Sequence, residues 1–385
     1  MLSSIAAQVP ARAARIAVSA LFFSAGFCFS SWASRIPAIQ QRLQLNEAGL
    51  GMVLFSLPVG LMLSLPVSGF VVARYGSRRT AIIACLLYAL ILPFLGLVSF
   101  VWQLVIGLFL FGFAGNLLNI SMNTQGVNVE DGYGRSIMAS FHGVWSVAGF
   151  SGAAAGMLML IFAASPFLHF CIIAVLVWSI VLLVYRYLPA KDIHSGSNAP
   201  VFAKPDGTLL KLGLIAFCCM VCEGTMFDWS GIYFAKMVQV PKPFTTLGYV
   251  AFMTTMAGGR FAGDWLSVKL GRKNMIRISG LLIAAGLMLA VILPYMVPAT
   301  IGFLITGMGV SSVVPLVYST AGRSGKVASG VALAAVSTIG YLGFLFGPPA
   351  IGLIAQAFNL RWSFTLIAFL GLGTTLLAGI SRMDK

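Results

Sequence analysis

Long uncharged stretches separated by short basic segments organise the chain. Residues 16–34 and 48–73 contain no charged side chain, and residues 80–129 and 136–185 are two further uncharged stretches of 50 residues each. A membrane-spanning helix needs about 20 mostly apolar residues, because the hydrocarbon core is about 30 Å thick. Each 50-residue stretch therefore holds two helices, with turns near residues 99–103 and at Ser165-Pro166. A polar segment at 189–208, rich in Ser, Gly, Asn, Pro, Lys and Asp, has linker composition. Beyond it lie 209–234, 245–266, 278–322 (two helices, broken at 294–298), 327–360 and 362–381. The pattern predicts an all-α polytopic membrane protein with twelve transmembrane helices. Residues 1–188 form an N-terminal six-helix bundle, 189–208 a cytoplasmic linker and 209–385 a C-terminal six-helix bundle.

Composition agrees with this pattern. The 385-residue chain is 59% hydrophobic and 9% charged, far below the roughly 25% charge of soluble domains. The 24 Lys and Arg against 9 Asp and Glu leave a net charge of +15. A basic stripe on a soluble face would suggest nucleic acid, but placement assigns the charge otherwise. With the N-terminus inside, all basic residues except Arg35, Arg42, Lys236, Lys242 and Arg361 fall at cytoplasmic ends, as the positive-inside rule requires. Both termini are then cytoplasmic, and Arg12 and Arg15 precede an uncleaved first span rather than a signal peptide. The charge is a topology signal, and no nucleic-acid partner is expected.

The halves repeat. Trp32 ends span one 18 residues before Leu50-Gly51, and Trp229 ends span seven 18 residues before Leu247-Gly248. Basic, glycine-containing turns follow at Arg74-Tyr75-Gly76-Ser77-Arg78-Arg79 and Lys269-Leu270-Gly271-Arg272-Lys273. Parallel repeats of six spans mark transporters whose solute site lies between the halves. Gly69 together with Arg74, Gly76, Arg78 and Arg79 resembles the loop signature of the major facilitator superfamily, although Ala73 stands where that signature has an acid. That departure leaves the family's acid-to-helix latch without its residue. Ser31-Trp32-Ala33-Ser34-Arg35-Ile36-Pro37, Ser121-Met122-Asn123-Thr124-Gln125 with Ser140-Phe141-His142-Gly143, and Glu223-Gly224 with Asp228-Trp229-Ser230 are similar to the bacterial YbjJ-like branch, related to fucose-permease-type sugar porters. The resemblance implies two six-helix bundles about a pseudo-twofold axis, alternating access, a monomer and a bacterial inner-membrane location.

Ionisable groups inside spans are costly and default to functional candidates. Glu223 lies about 21 Å into span seven at 1.5 Å per residue, and carboxyls taken out of water favour the neutral form; it is the first proton-coupling candidate. Asp228 and His142 are the others. Arg35 and Asp228 are expected to pair as a gate when the outer side is shut; the bland alternative is headgroup snorkelling and backbone capping. Asn116, Asn119 and Asn123 share one helix face, and a three-amide stripe cannot face lipid. They are expected to line the cavity or to bond neighbouring helices. The resembling pattern commonly has Asp at 119, and Asn119 cannot titrate. Trp32, Trp145, Trp229 and Tyr341 could stack on a sugar face or pack as anchors. Arg260 and Asp264 are expected to pair with each other or with the following loop. The glycines of spans five and eleven read as joints between helices.

No phosphate loop, zinc motif or nucleophile elbow occurs in the sequence, so enzymatic, metal and cofactor roles have no support. The expected function is secondary active transport of a small polar solute, sugar-like by resemblance, coupled to protons. The alternatives are a proton-driven exporter of drugs or amphipathic metabolites and a non-transporting receptor on the same scaffold.

Overall fold

The computed structural model describes residues 10–133, 137–190, 192, 207–323 and 329–380, apart from the side chains of Asp264, Ser329 and Gly330. The first half comprises α1 (Ala11–Ala33), α2 (Ile36–Arg42), α3 (Glu47–Leu54), α4 (Ser56–Tyr75), α5 (Ser77–Leu97), α6 (Val101–Tyr133), α7 (Met138–Ile161) and α8 (Pro166–Val184). The second comprises α9 (Gly207–Tyr233), α10 (Leu247–Leu270), α11 (Arg272–Ile292), α12 (Met296–Val310), α13 (Val313–Gly322), α14 (Ser329–Ala357) and α15 (Leu360–Ile380). Spans two and ten are each built from two consecutive helices, α3–α4 and α12–α13. Most of the linker lies outside the described residues.

Eleven helices among the described residues are long and apolar enough to cross a bilayer. The twelfth expected span, α10, is a 24-residue helix, about 36 Å long at 1.5 Å per residue. Its Arg260, two threonines and three glycines over 254–263 make it more polar than its companions. It packs against α7, α9 and α12, so it lies inside the assembly like the others.

The turns follow local chemistry. Ser165 Oγ accepts from the Leu168 N–H at 3.2 Å, with Pro166 at the first helical position of α8. Gln103 Oε1 accepts from the Ser99 and Phe100 N–H groups at 2.8 and 3.2 Å. Glu130, on α6, accepts from the Ile137 and Met138 N–H groups at 2.6 and 2.7 Å and so satisfies the start of α7.

The sequence repeat becomes a packing repeat. α1 packs on α7 as α9 packs on α14, α4 on α6 as α10 on α12, and α5 on α8 as α11 on α15. Between halves, α3 meets α14 and α7 meets α10; a twofold exchange of spans two and eight, and of five and eleven, turns one contact into the other. The turn glycines repeat as well. Gly76 and Gly271, at φ 82° ψ 150° and φ 75° ψ 149°, are the two positive-φ glycines among the described residues. Each ends one helix and starts the next in a backbone region reserved for glycine.

Candidate functional site

A cavity of about 780 Å3 lies between the halves. One end reaches Ser267, Arg272, Ser319 and Arg323, the helix ends that carry the basic turns; the other reaches Phe29, Leu54, Phe227 and Pro348. That far end is shut by close backbone approach. A Cβ at Gly51 would lie 2.5 Å from the Pro348 carbonyl oxygen, and one at Gly352 would lie 2.5 Å from that of Glu47. Only glycine permits α3 and α14 to meet so closely. Lys236 Nζ also reaches Glu47 Oε1 at 2.5 Å across the two halves.

Among the described residues, two carboxylates face this cavity. Glu223, on α9, is 7% exposed, and its Oε1 lies 3.3 Å from Arg260 Nη2 on α10. Arg260 Nη1 donates to Ser146 Oγ on α7 at 2.7 Å, and its guanidinium carbon stands 5.7 Å from the Trp145 ring centre. One cation thus ties three helices from both halves. Its Nε is buried with no acceptor. Asp228 is half-buried in the same wall and forms no hydrogen bond or ion pair among the described residues. His142 lines the cavity and packs edge-on against Phe22, ring centres 5.3 Å apart.

α6 also lines the cavity. Asn116 Nδ2 donates to Ser64 Oγ on α4 at 2.7 Å, and Asn119 Oδ1 accepts from Asn123 Nδ2 at 2.9 Å. Tyr88 and Phe111, stacked at 4.1 Å, also contribute to the lining. Phe29, Trp145 and Phe227 form an aromatic group near the far end, with Phe29 and Phe227 5.2 Å apart. Amides and ionisable groups thus sit among large rings, which suits a solute with a polar edge and a compact body.

Residues 17–331 match the family model described as Major Facilitator Superfamily. An uncharacterised MFS-type transporter of Yersinia pestis is 33% identical, with 94% of each chain covered. The chain belongs to the Major Facilitator Superfamily. It is also 33% identical to the membrane protein MosC of Rhizobium meliloti, over 92% of this chain and 87% of that one. Among solved structures, the nucleoside transporter NupG superimposes with a TM-score of 0.74 at 13% identity, covering 97% of this chain and 100% of its own. A bacterial homologue of the human lysosomal transporter Spinster, inward-facing and occupied, gives 0.72 at 16% identity, with 95% of each chain covered. These structural likenesses show the fold alone; the multi-pass membrane architecture rests on the family and on the apolar helices. They do not reach the finer YbjJ-like branch.

Within this superfamily fold, Glu223, Asp228, His142, Asn116, Asn119, Trp145 and Tyr341 all line the one cavity. Other expectations need correction. The Arg35–Asp228 gate does not form although the far end is shut: Arg35 Nε donates to His169 Nδ1 on α8 at 3.1 Å. The reason is local, since α1 stops at Ala33 and Arg35 caps the start of α2, turned into its own bundle. Arg260 pairs with Glu223, and the side chain of its expected partner, Asp264, lies outside the described residues. Asn123 is absent from the cavity lining and bonds back to Asn119. Trp32 and Trp229, 1% and 0% exposed, are packing anchors away from the cavity.

The loop signature is structural. Arg78 Nη2 donates to the Tyr185 carbonyl at 2.9 Å, Arg74 lies over the Tyr75 ring, and Gly76 makes the turn. Gly69 and Arg79 line no part of the main cavity. The acid missing at Ala73 has a counterpart from the linker: Asp192 Oδ2 accepts the Ser77 N–H at 2.8 Å at the start of α5, while Oδ1 bonds Ser77 Oγ and Asn128 Nδ2. Sequence reasoning missed His169, Ser64, Ser146 and Asp192 as partners. Each lies far along the chain from the group it bonds, where spacing carries no signal.

Proposed function

We propose that this chain is a proton-coupled secondary transporter of a small polar solute, alternating access between bundles 1–188 and 209–385 joined by the 189–208 linker. The observation that carries the reading is Glu223, an ionisable group on the wall of the inter-bundle cavity, paired to a cation on another helix. A carboxylate that loses its charge on protonation releases that cation, and the pair couples proton binding to the arrangement of α7, α9 and α10. Lys and Arg asymmetry supports an inner-membrane orientation with both termini cytoplasmic, and the basic end of the cavity then faces the cytoplasm. Asn116 and Asn119 suit hydroxyl groups, and the protein is expected to act as a monomer. NupG, of the same fold, is a nucleoside transporter, which supports a polar solute of similar bulk.

The rings of Phe29, Tyr88, Phe111, Phe227 and Phe344 favour a second reading, export of amphipathic compounds. Solute counterflow in proteoliposomes under an imposed pH gradient tests both. Wild type should accumulate a polar solute against its gradient, and Glu223→Gln should exchange solute without responding to the pH gradient. Accumulation by Glu223→Gln equal to wild type would remove the coupling role. Loss of amphipathic compounds from the cell, unchanged by Asn116→Ala or Asn119→Ala, would favour export.

A further inference from the structure

Resting on the transporter reading, we infer that the solute is a small hydroxylated carboxylate and that Arg260 is the anchor for its anionic group, taken over from Glu223 when that residue is protonated. A guanidinium presents five N–H donors in a fork suited to paired carboxylate oxygens. In this structure the Arg260 fork is poorly filled. Its contact with Glu223 is 3.3 Å, longer than the roughly 2.7–2.9 Å of a strong charge-assisted bond. One other bond goes to a neutral hydroxyl, Ser146 Oγ at 2.7 Å, and Nε is buried without an acceptor. Trp145 supports the guanidinium from its ring face and uses none of its donors.

The charge of the lining points the same way. Among the described residues of the lining, Arg260, Arg272 and Arg323 stand with Glu223 and Asp228, and there is no lysine. Arg272 and Arg323 stand at the open end and form no ion pair among the described residues. Two guanidinium groups at a low-dielectric mouth raise the local concentration of anions. The lining of the same cavity carries Asn116 and Asn119, whose carboxamides serve hydroxyls on the rest of the solute.

Protonation links the two halves of the inference. Glu223 is faced by Arg260 and Tyr249 from α10, Tyr318 from α13 and Tyr341 from α14, with Asp228, Cys219 and Cys222 on its own helix; His142 on α7 faces Arg260. Arg260 is the only permanent cation in that set. A proton on Glu223 therefore removes the one ionic partner that Arg260 has among the described residues, which is costly away from bulk water. A solute carboxylate restores the balance. Proton and anion enter together because each removes the competitor of the other, and the loaded site has the same net charge as the empty one.

The test uses the purified full-length chain with glucuronate, gluconate, glucose and glucosamine as probes, read by thermal shift and titration calorimetry across pH. The sugar acids should stabilise wild type more than glucose or glucosamine does. Their affinity should rise about tenfold per unit fall in pH while Glu223 exchanges one proton. Glu223→Gln should bind the acids with no pH slope. Arg260→Gln should lose the preference for acids over glucose, and Arg260→Lys should keep part of it. Should Arg260→Gln fail to fold, the double variant Glu223→Gln/Arg260→Gln, neutral on both sides, reads the same loss. Equal or better stabilisation by glucose, no response to either acid, or an acid preference surviving Arg260→Gln would overturn the inference. A preference for glucosamine would overturn it in favour of Asp228. Sugar-acid binding without counterflow would sink the transporter reading and leave the Arg260 assignment standing; pH-driven glucose flux without acid preference would do the reverse.

Discussion

Glu223 and Arg260 are each other's only ionic partner among the described residues. Their side chains are 9% and 20% exposed, so removing one leaves the other poorly solvated. Truncating one member of such a pair costs about 1–3 kcal/mol or more, whereas replacing both can be nearly neutral. Arg260→Gln is therefore expected to lower the melting temperature of the purified protein, and adding Glu223→Gln should recover most of the loss. Additive losses in the double variant would show that the two side chains do not interact. Glu223 was legible in the sequence as an acid inside a span. Its partner was not, because it lies 37 residues away on a helix whose own Asp264 offered a nearer match. Arg35 teaches the same lesson. Its expected gate partner was Asp228, and the partner it has, His169, 134 residues on, was not readable.

At the scale of elements, the helix turns on the basic side carry much of the specification. Gly76 and Gly271 have ψ near 150° as well as positive φ, a region where a side chain costs about 1–3 kcal/mol. Gly76→Ala and Gly271→Ala are each expected to destabilise by that amount in thermal unfolding, while Gly69→Ala, with open space around its Cβ position, should change little. Asp192 presents its carboxylate to the N-terminus of α5, where a negative charge opposes the helix dipole. Asp192→Asn should cost about 0.5–2 kcal/mol; an unchanged melting temperature would mean that the linker contact adds no stability. The turns and the repeat could be read from spacing, since glycine, proline and serine act on their immediate neighbours. The Asp192 cap could not, because a linker of polar composition carries no sign of which helix end it will meet.

For the whole molecule, twelve spans and two matching halves were readable because hydrocarbon thickness and charge placement constrain sequence directly. Which side of the cavity stands open was not, because closure depends on how one bundle tilts against the other. The contacts that close the far end include α3 against α14, with Gly51 under Pro348, α2 against α9, residues Lys242–Phe244 against α7, and Lys236 on Glu47. A bulky side chain at Gly352 should disfavour this state, so Gly352→Leu is expected to shift the population toward the opposite opening. Alternation is the claim on which the transport reading depends. It is tested most directly by electron-spin distance measurements on two label pairs in liposomes: Gln41 with Val240 across the far end, and Arg79 with Asn274, exposed on the two basic turns. Changing pH or adding a bound solute should lengthen one distance distribution while shortening the other. Two distributions that stay fixed under every condition, with the cavity occupied or empty, would contradict alternating access.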